Sequence, residues 1–145
     1  MFNKKEAYYG YCRRIIKSRN DGTISFGNFK LDEKQKISDF EHMGDTYKVK
    51  TFKELTKLEK NEAFLYESNP GTAVFHFVET ENGVIFDVDA QEAAQITLGL
   101  EEDVKYAVII NGEYAESITT GIGGKLSVNV ASVEDELTNV EIQKL

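Results

Sequence analysis

Residues 74–89 read VFHFVETENGVIFDVD, a stretch in which two apolar runs are separated by a turn signal. Val74 to Val78 is continuously apolar and aromatic except for one His, which is typical of a strand buried on both faces. Glu81-Asn82-Gly83 predicts a turn, because Asn and Gly tolerate turn backbone angles. Apolar and acidic residues then alternate to residue 89, as they do in a strand with one buried face. This stretch therefore predicts two consecutive strands.

The same pattern continues toward the C terminus. Asn111-Gly112 lies between two alternating runs and is the strongest short signal for a β-hairpin. A further turn is predicted at Gly121 to Gly124, and no helical period separates the runs. We therefore expect residues 71–145 to form an antiparallel β-sandwich, in a fold that is mainly β with a minor helical segment at the N terminus.

A resemblance supports this interpretation. Leu100, Tyr106 and Val108 are spaced as Leu-x5-Tyr-x-Val before a hairpin, which resembles the signature of fibronectin type III and related immunoglobulin-like sandwiches. In those folds the Tyr packs at a corner between the sheets, and its hydroxyl bonds back to the chain. The stretch 117–128 resembles the closing strands of accessory sandwiches at the C-terminal ends of bacterial polysaccharide-acting enzymes. The resemblance covers about residues 84–142, and it implies a non-catalytic binding or spacer role and no catalytic residue.

Charge changes sign along the chain. Residues 1–60 hold 14 Lys and Arg against 9 Asp and Glu, whereas residues 61–145 hold 3 against 16. Asn69-Pro70-Gly71 is the strongest break near this change. We predict a boundary there between a basic N-terminal segment, residues 1–70, and an acidic β-sandwich module, residues 71–145. Such asymmetry indicates either an anionic partner for the basic half or attraction between the two halves.

The basic segment carries weaker signals than the acidic module. Asn3 with Glu6 forms a capping-box pattern, and apolar residues then recur at spacings of three and four, so a helix is predicted over residues 4–18. Strands are also predicted at 23–26 and 63–67, and an edge strand at 47–50 with its lysines toward solvent. The stretch 32–43 is ambiguous and could be a capped helix. The stretch 52–59 fits either a helix or a strand.

Composition narrows the class of protein. The chain has 145 residues with one Cys, so no internal disulfide can form. No apolar run approaches the roughly 20 residues that span a membrane, and no signal peptide precedes the first predicted element. We expect a cytoplasmic location by default, and an extracellular one if the chain is part of a larger exported protein. The net charge of −8 disfavours nucleic acid as a partner.

Common catalytic motifs are missing from the sequence. It contains no Gly-x-Ser-x-Gly elbow, no phosphate-binding loop and no dinucleotide fingerprint. One Cys and two distant His cannot supply the paired ligands of a structural zinc site. Carboxylates are abundant, and oxygen clusters of this kind hold calcium, although the twelve-residue calcium loop is not present. The weak calcium candidates are Asp87, Asp89, Glu101 and Asp103.

These observations favour a non-catalytic binding or interaction module. Its ligand could be a small molecule, a glycan or a protein, and the resemblance favours carbohydrate. Tyr47, Tyr66 and Tyr114 are the candidate binding platforms, and no cofactor is implied. One alternative is a structural protein that assembles through strand edges or through its oppositely charged halves. A second alternative is a small hydrolase that combines His76 with a carboxylate.

Overall fold

A computed structural model describes residues 15–131 and 136–145, and these residues form an all-β protein. Within these ranges no helix is long and apolar enough to cross a membrane. The strands are β1 Ile16–Ser18, β2 Ile24–Phe26, β3 Gln35–His42, β4 Asp45–Phe52, β5 Leu55–Lys60, β6 Ala63–Asn69, β7 Thr72–Thr80, β8 Gly83–Ala90, β9 Ala94–Gly99, β10 Lys105–Ile110, β11 Glu113–Thr119, β12 Lys125–Val130 and β13 Thr138–Lys144.

The strands pair into two antiparallel sheets. Sheet A has seven strands in the order β1-β2-β7-β8-β13-β10-β11. Sheet B has six strands in the order β12-β9-β6-β5-β4-β3. Four consecutive strands, β3 to β6, form a meander of hairpins within sheet B. The later strands cross between the two sheets, so that β9 and β12 extend sheet B while β10, β11 and β13 extend sheet A.

One hydrophobic core joins the inner faces of the two sheets. Tyr66 of sheet B lies near its centre and is fully buried. Its ring makes edge contacts with Phe26 at 5.1 Å and with Phe86 at 5.7 Å between ring centroids, and both partners belong to sheet A. Such edge-to-face pairs add to the stabilisation that comes from burying apolar area.

A network of buried hydroxyl groups lies beside this core. The Tyr66 hydroxyl is 2.7 Å from Thr72 Oγ1, which also bonds Ser68 Oγ at 2.8 Å. Thr56 Oγ1 donates to the Thr72 carbonyl at 2.8 Å and is 2.8 Å from Thr51 Oγ1. A buried hydroxyl without a partner costs free energy, and these groups satisfy one another across the two sheets.

The predicted helix over residues 4–18 needs correction. Residues 4–14 lie outside the described residues, and the end of the predicted helix, Ile16–Ser18, is strand β1. Ile16 pairs with Phe26 and is 1 % exposed, because the turn at Asn20-Asp21-Gly22 returns the chain antiparallel to β2. The helix prediction is therefore wrong at Ile16–Ser18, where the chain forms a strand.

Other N-terminal predictions are also changed. The ambiguous stretch 32–43 contains strand β3, which forms the edge of sheet B. The predicted edge strand at 47–50 is part of β4, which is not an edge because β3 and β5 flank it. The open stretch 52–59 is a turn followed by β5. The strand predictions at 23–26 and 63–67 agree with β2 and β6.

Both sheets combine strands from either side of Asn69-Pro70-Gly71. Strands β1 and β2 pair with β7 in sheet A, whereas β9 and β12 extend the meander β3 to β6 in sheet B. The described residues on the two sides of this break therefore do not form separate sheets, and they share one core. The Asn-Pro-Gly break marks the point at which the chain leaves sheet B for sheet A.

The Tyr of the Leu-x5-Tyr-x-Val spacing is buried and bonds back to the chain. Tyr106 is 1 % exposed in β10, and its hydroxyl accepts a hydrogen bond of 3.2 Å from the backbone N–H of Glu101. Asn111 and Gly112 both have positive φ, 50° and 82°, as a two-residue hairpin between β10 and β11 requires.

Candidate functional site

A row of polar side chains crosses the outer face of sheet B. Direct pairing in register connects one residue from each of its six strands. Residues that pair directly project to the same side of a sheet, and in every strand of sheet B except the edge strand β3 the inward neighbours of these residues are buried. We call this set the cross-strand row, and its members in strand order are Lys36, Lys50, Lys57, Glu67, Thr97 and Ser127.

Three lysines lie directly opposite one another at the β3 end of this row. Lys36 pairs with Lys50, and Lys50 pairs with Lys57. The nearby ammonium groups of Lys48 and Lys36 lower the pKa of Lys50, with smaller effects from Lys34 and Lys57. We call these five residues the lysine cluster. Like charges directly opposite across strands destabilise a sheet, so the cluster opposes folding slightly.

Within the described residues, most of these lysines have no carboxylate partner at ion-pair distance. Lys57 Nζ lies 3.6 Å from Glu59 Oε1, which forms the one ion pair of the cluster within residues 15–131 and 136–145. Lys34 Nζ lies 5.5 Å from the centre of the Phe52 ring instead of beside a carboxylate. The outer face at β3 and β4 therefore attracts anions.

The other end of the cross-strand row carries acceptors and hydroxyls. Glu67 pairs with Lys57 on one side and with Thr97 on the other. Thr97 Oγ1 and Ser127 Oγ are 2.9 Å apart, and this exposed hydrogen bond joins β9 to β12. A hydroxyl has one donor and two acceptor sites, so each retains capacity for a further partner.

Alternation along the strands produces this face. In β4, Tyr47, Val49 and Thr51 are buried, whereas Lys48 and Lys50 between them are partly exposed. The period of two places the lysines on the outer surface. Strand β3 is irregular between Ile37 and Phe40, where its pairing with β4 shifts register. A bulge and charged side chains are common protections of an edge strand.

A cavity of about 760 Å³ continues this surface at the end of the sheet. It is bounded by the irregular part of β3, where Asp39 has a φ of 58°, and by the turn that joins β5 to β6. Asn61 fixes this turn to β4, because its side chain accepts from Thr46 N at 2.9 Å and donates to Asp45 at 2.9 Å. Lys48 and Glu59 line both the cavity and the outer face.

The three predicted tyrosine platforms are not brought together. Tyr66 is fully buried in the core, so it presents no face to a ligand from solvent, and burial raises the pKa of its hydroxyl. Tyr47 is 6 % exposed and lines the 760 Å³ cavity, with its ring at 5.9 Å from that of His42. Tyr114 is 63 % exposed and lies on strand β11 of sheet A, away from both.

The four calcium candidates are dispersed as well. Asp87 and Asp89 lie on β8, and Asp89 is buried with 2 % exposure. Glu101 contacts the ammonium group of Lys144, and Asp103 has a φ of 54°. No group of three or more His, Cys, Asp or Glu side chains within the described residues could hold a metal ion. The structure thus does not gather these carboxylates into a calcium site.

His76 does meet a carboxylate. Its Nδ1 lies 3.0 Å from Asp87 Oδ2, and Asn139 donates to Asp87 Oδ1 at 3.0 Å. His76 has a φ of 57° where the pairing of β7 with β8 shifts register. This hydrogen-bond network joins three neighbouring strands, β7, β8 and β13.

Sequence reasoning identified little of the cross-strand row. The alternation at 47–50 indicated that lysines point toward solvent, and this was the available signal. Glu67, Thr97 and Ser127 carry no motif, and their alignment with Lys57 depends on the register of four strands. Comparison of the chain with protein-family models, with curated proteins and with solved structures gave no match.

Proposed function

We propose that this protein is a non-catalytic binding module of immunoglobulin-like sandwich architecture, which binds an anionic ligand on the outer face of sheet B. The two antiparallel sheets and the hydroxyl of Tyr106 bonded at the Glu101 corner support the proposed architecture. The resemblance to accessory sandwiches of polysaccharide-acting enzymes makes carbohydrate the favoured ligand class.

One observation carries this proposal. Lys36, Lys50 and Lys57 lie directly opposite one another in three adjacent strands. Exposed positions in a sheet accept Thr, Ser or charges of either sign without loss of the fold, so the core does not require three lysines there. An anionic ligand would relieve their mutual repulsion, and binding would then add to the stability of the folded state.

The proposal is tested by measuring thermal stability against a broad panel of compounds. The panel contains neutral and acidic glycans, inorganic polyphosphate and calcium chloride, and unfolding is followed by differential scanning fluorimetry. We expect at least one anionic member to raise the melting temperature of the wild type. The double variant Lys36→Gln/Lys50→Gln should lose that rise.

Lys105→Gln is the matched control, since Lys105 is an exposed lysine on β10 of the other sheet. The control variant should respond like the wild type. A wild-type protein whose melting temperature stays unchanged across the whole panel would contradict a binding function, and an equal response of the double variant would contradict the location.

Self-assembly is a second candidate, because the outer faces of the two sheets differ in charge. Sheet A carries the partly exposed Asp87 and Glu141 on strands β8 and β13, opposite in sign to the lysine cluster on sheet B. Copies could therefore stack face to face through charge attraction. Light scattering after size exclusion should then show a mass that falls as salt increases, and a monomer at every salt concentration would refute assembly of this kind.

A further inference from the structure

The two halves of the cross-strand row present different chemical groups. The half on β3, β4 and β5 presents three ammonium groups. The half on β6, β9 and β12 presents a carboxylate and two hydroxyls. A ligand that contacts the whole row must therefore carry anionic groups at one end of its contact and hydrogen-bond donors at the other.

The geometry of the row gives the direction and length of that contact. Six strands have five spacings of about 4.8 Å, so the row extends roughly 24 Å across the sheet. All six side chains project from the same side, and the paired strands form one continuous surface. An extended chain lying perpendicular to the strands can contact every member, whereas a compact small molecule reaches only two or three.

Glu67 and Glu59 decide which kind of extended polyanion fits. Both carboxylates lie beside Lys57, in the middle of the face. A polymer with a phosphate at every repeat and few hydroxyl groups would place negative charge against them. A sugar hydroxyl instead donates to a carboxylate, and such charge-assisted hydrogen bonds are stronger than neutral ones.

We propose, as an extension of the proposed function, that the ligand is an acidic polysaccharide that lies across the strands of sheet B. Its carboxylate or sulfate groups contact Lys36 and Lys50. Its hydroxyl groups donate to Glu67 and exchange hydrogen bonds with Thr97 and Ser127. The mutual bond of Thr97 and Ser127, at 2.9 Å, uses one of their two hydroxyl protons, which leaves one donor and further acceptor sites for the bound chain.

Calorimetric titration with defined polymers tests this inference. Sodium polygalacturonate and lightly carboxymethylated dextran are the acidic probes, and methyl-esterified polygalacturonate and dextran are their neutral counterparts. Polyphosphate and oligo(dT) serve as polyanions that lack sugar hydroxyl arrays of this density. We expect both acidic glycans to bind more tightly than their neutral counterparts and than polyphosphate or oligo(dT).

Two double variants separate the halves of the row. Lys36→Gln/Lys50→Gln removes charge, and Thr97→Val/Ser127→Ala removes the two hydroxyls. Loss of single hydrogen bonds corresponds to weakening of about three- to tenfold, which we expect for the hydroxyl variant with acidic glycans. Ser117→Ala/Thr119→Val removes two hydroxyls from β11 of sheet A and is the matched control.

The outcomes distinguish this inference from the function on which it rests. If polyphosphate or oligo(dT) binds as tightly as the acidic glycans and the hydroxyl variant binds like the wild type, the acidic-polysaccharide inference is wrong while anion binding stands. If the neutral glycans bind as tightly as the acidic ones, the charge requirement is wrong. If no probe binds, both proposals fail.

Discussion

The two faces of sheet B use polar residues in opposite ways. Thr51 and Lys50 are neighbours in the chain, yet Thr51 is fully buried and bonded to Thr56, whereas Lys50 is partly exposed among other lysines. On the inner face, hydroxyls bond one another or a backbone carbonyl at 2.7–2.8 Å. On the outer face, a single ion pair, Lys57 with Glu59, compensates the lysine cluster within the part of the chain that the structure describes. Removing an inner polar group should damage the fold, and removing an outer one should leave it intact or improve it.

The largest effect is expected for Tyr66→Ala, at the centre of the inner face. Truncation of a buried aromatic side chain costs about 3–5 kcal/mol, because it removes buried area and leaves a cavity. Urea denaturation followed by circular dichroism would measure the change. Tyr66→Phe retains the ring contacts with Phe26 and Phe86 and should lose only about 1 kcal/mol. Equal losses for the two variants would show that the ring contributes nothing.

Thr72→Val tests the buried hydroxyl network. The variant removes the Oγ1 atom that bonds both Tyr66 and Ser68, and we expect a loss of about 1–3 kcal/mol because two buried groups lose a partner. Thr97→Val makes the same substitution on the outer face and should change stability by less than about 0.5 kcal/mol. Chemical denaturation of both variants in parallel measures the two losses of stability. A larger loss for Thr97→Val than for Thr72→Val would contradict the expected difference between the inner and outer faces.

Lys60→Met should lower the free energy of unfolding by a smaller amount, and this loss should depend on pH. Lys60 Nζ of sheet B is 2.8 Å from Glu79 Oε1 of sheet A, and this hydrogen bond is the main cause that raises the pKa of Lys60. Half-exposed ion pairs contribute about 0.2–1 kcal/mol.

The sign of this pH dependence follows from the raised pKa. The folded state holds the Lys60 proton more tightly, so the contribution is complete below the unfolded pKa of about 10.4 and is lost as pH rises through the folded value. Denaturation of wild type and variant at pH 8 and at pH 11 should show a difference that shrinks at the higher pH. A difference that is equal at the two pH values would contradict the role of the ion pair.

The smallest change in stability is expected for Lys50→Gln, which should stabilise the fold where the other variants destabilise it. Relief of repulsion from Lys48 and Lys36 should raise the unfolding midpoint slightly at low salt, and the gain should disappear at high salt because exposed charges are screened. The lowered pKa of Lys50 means that its destabilising effect is complete at neutral pH and declines as pH rises through the folded value. A variant that is less stable than the wild type at low salt would show that the lysine contributes to the fold.

The C-terminal strands could be predicted well because local patterns determine them. Asn111-Gly112 supplies the two positive φ angles of its hairpin, and alternating apolar residues mark β8, β9 and β12. The N-terminal element could not be assigned in the same way. The pair Ile15-Ile16 fits a helical face or a strand, and the pairing of Ile16 with Phe26 decided between them.

Most residues of the candidate site could not be identified from local sequence patterns. Tyr66 was a reasonable platform by residue type, yet edge contacts with aromatic rings of the opposite sheet place it in the core. The lysines of β4 could be assigned to an exposed side. Their position opposite Lys36 and Lys57, and the continuation of the row to Ser127, required the register of all six strands.

The amino-acid sequence by itself determined the strand period, the turns and the exposure of alternate side chains, because these depend on a residue and its nearest neighbours. The tertiary structure decided which strands share a sheet and which side chains meet across it. Sheet order places residues as distant in the chain as Lys36 and Ser127 in one row across sheet B, and no local interaction encodes that alignment. Long-range pairing is selected by the burial of one common core, so the surface opposite that core becomes defined only when the whole fold has formed.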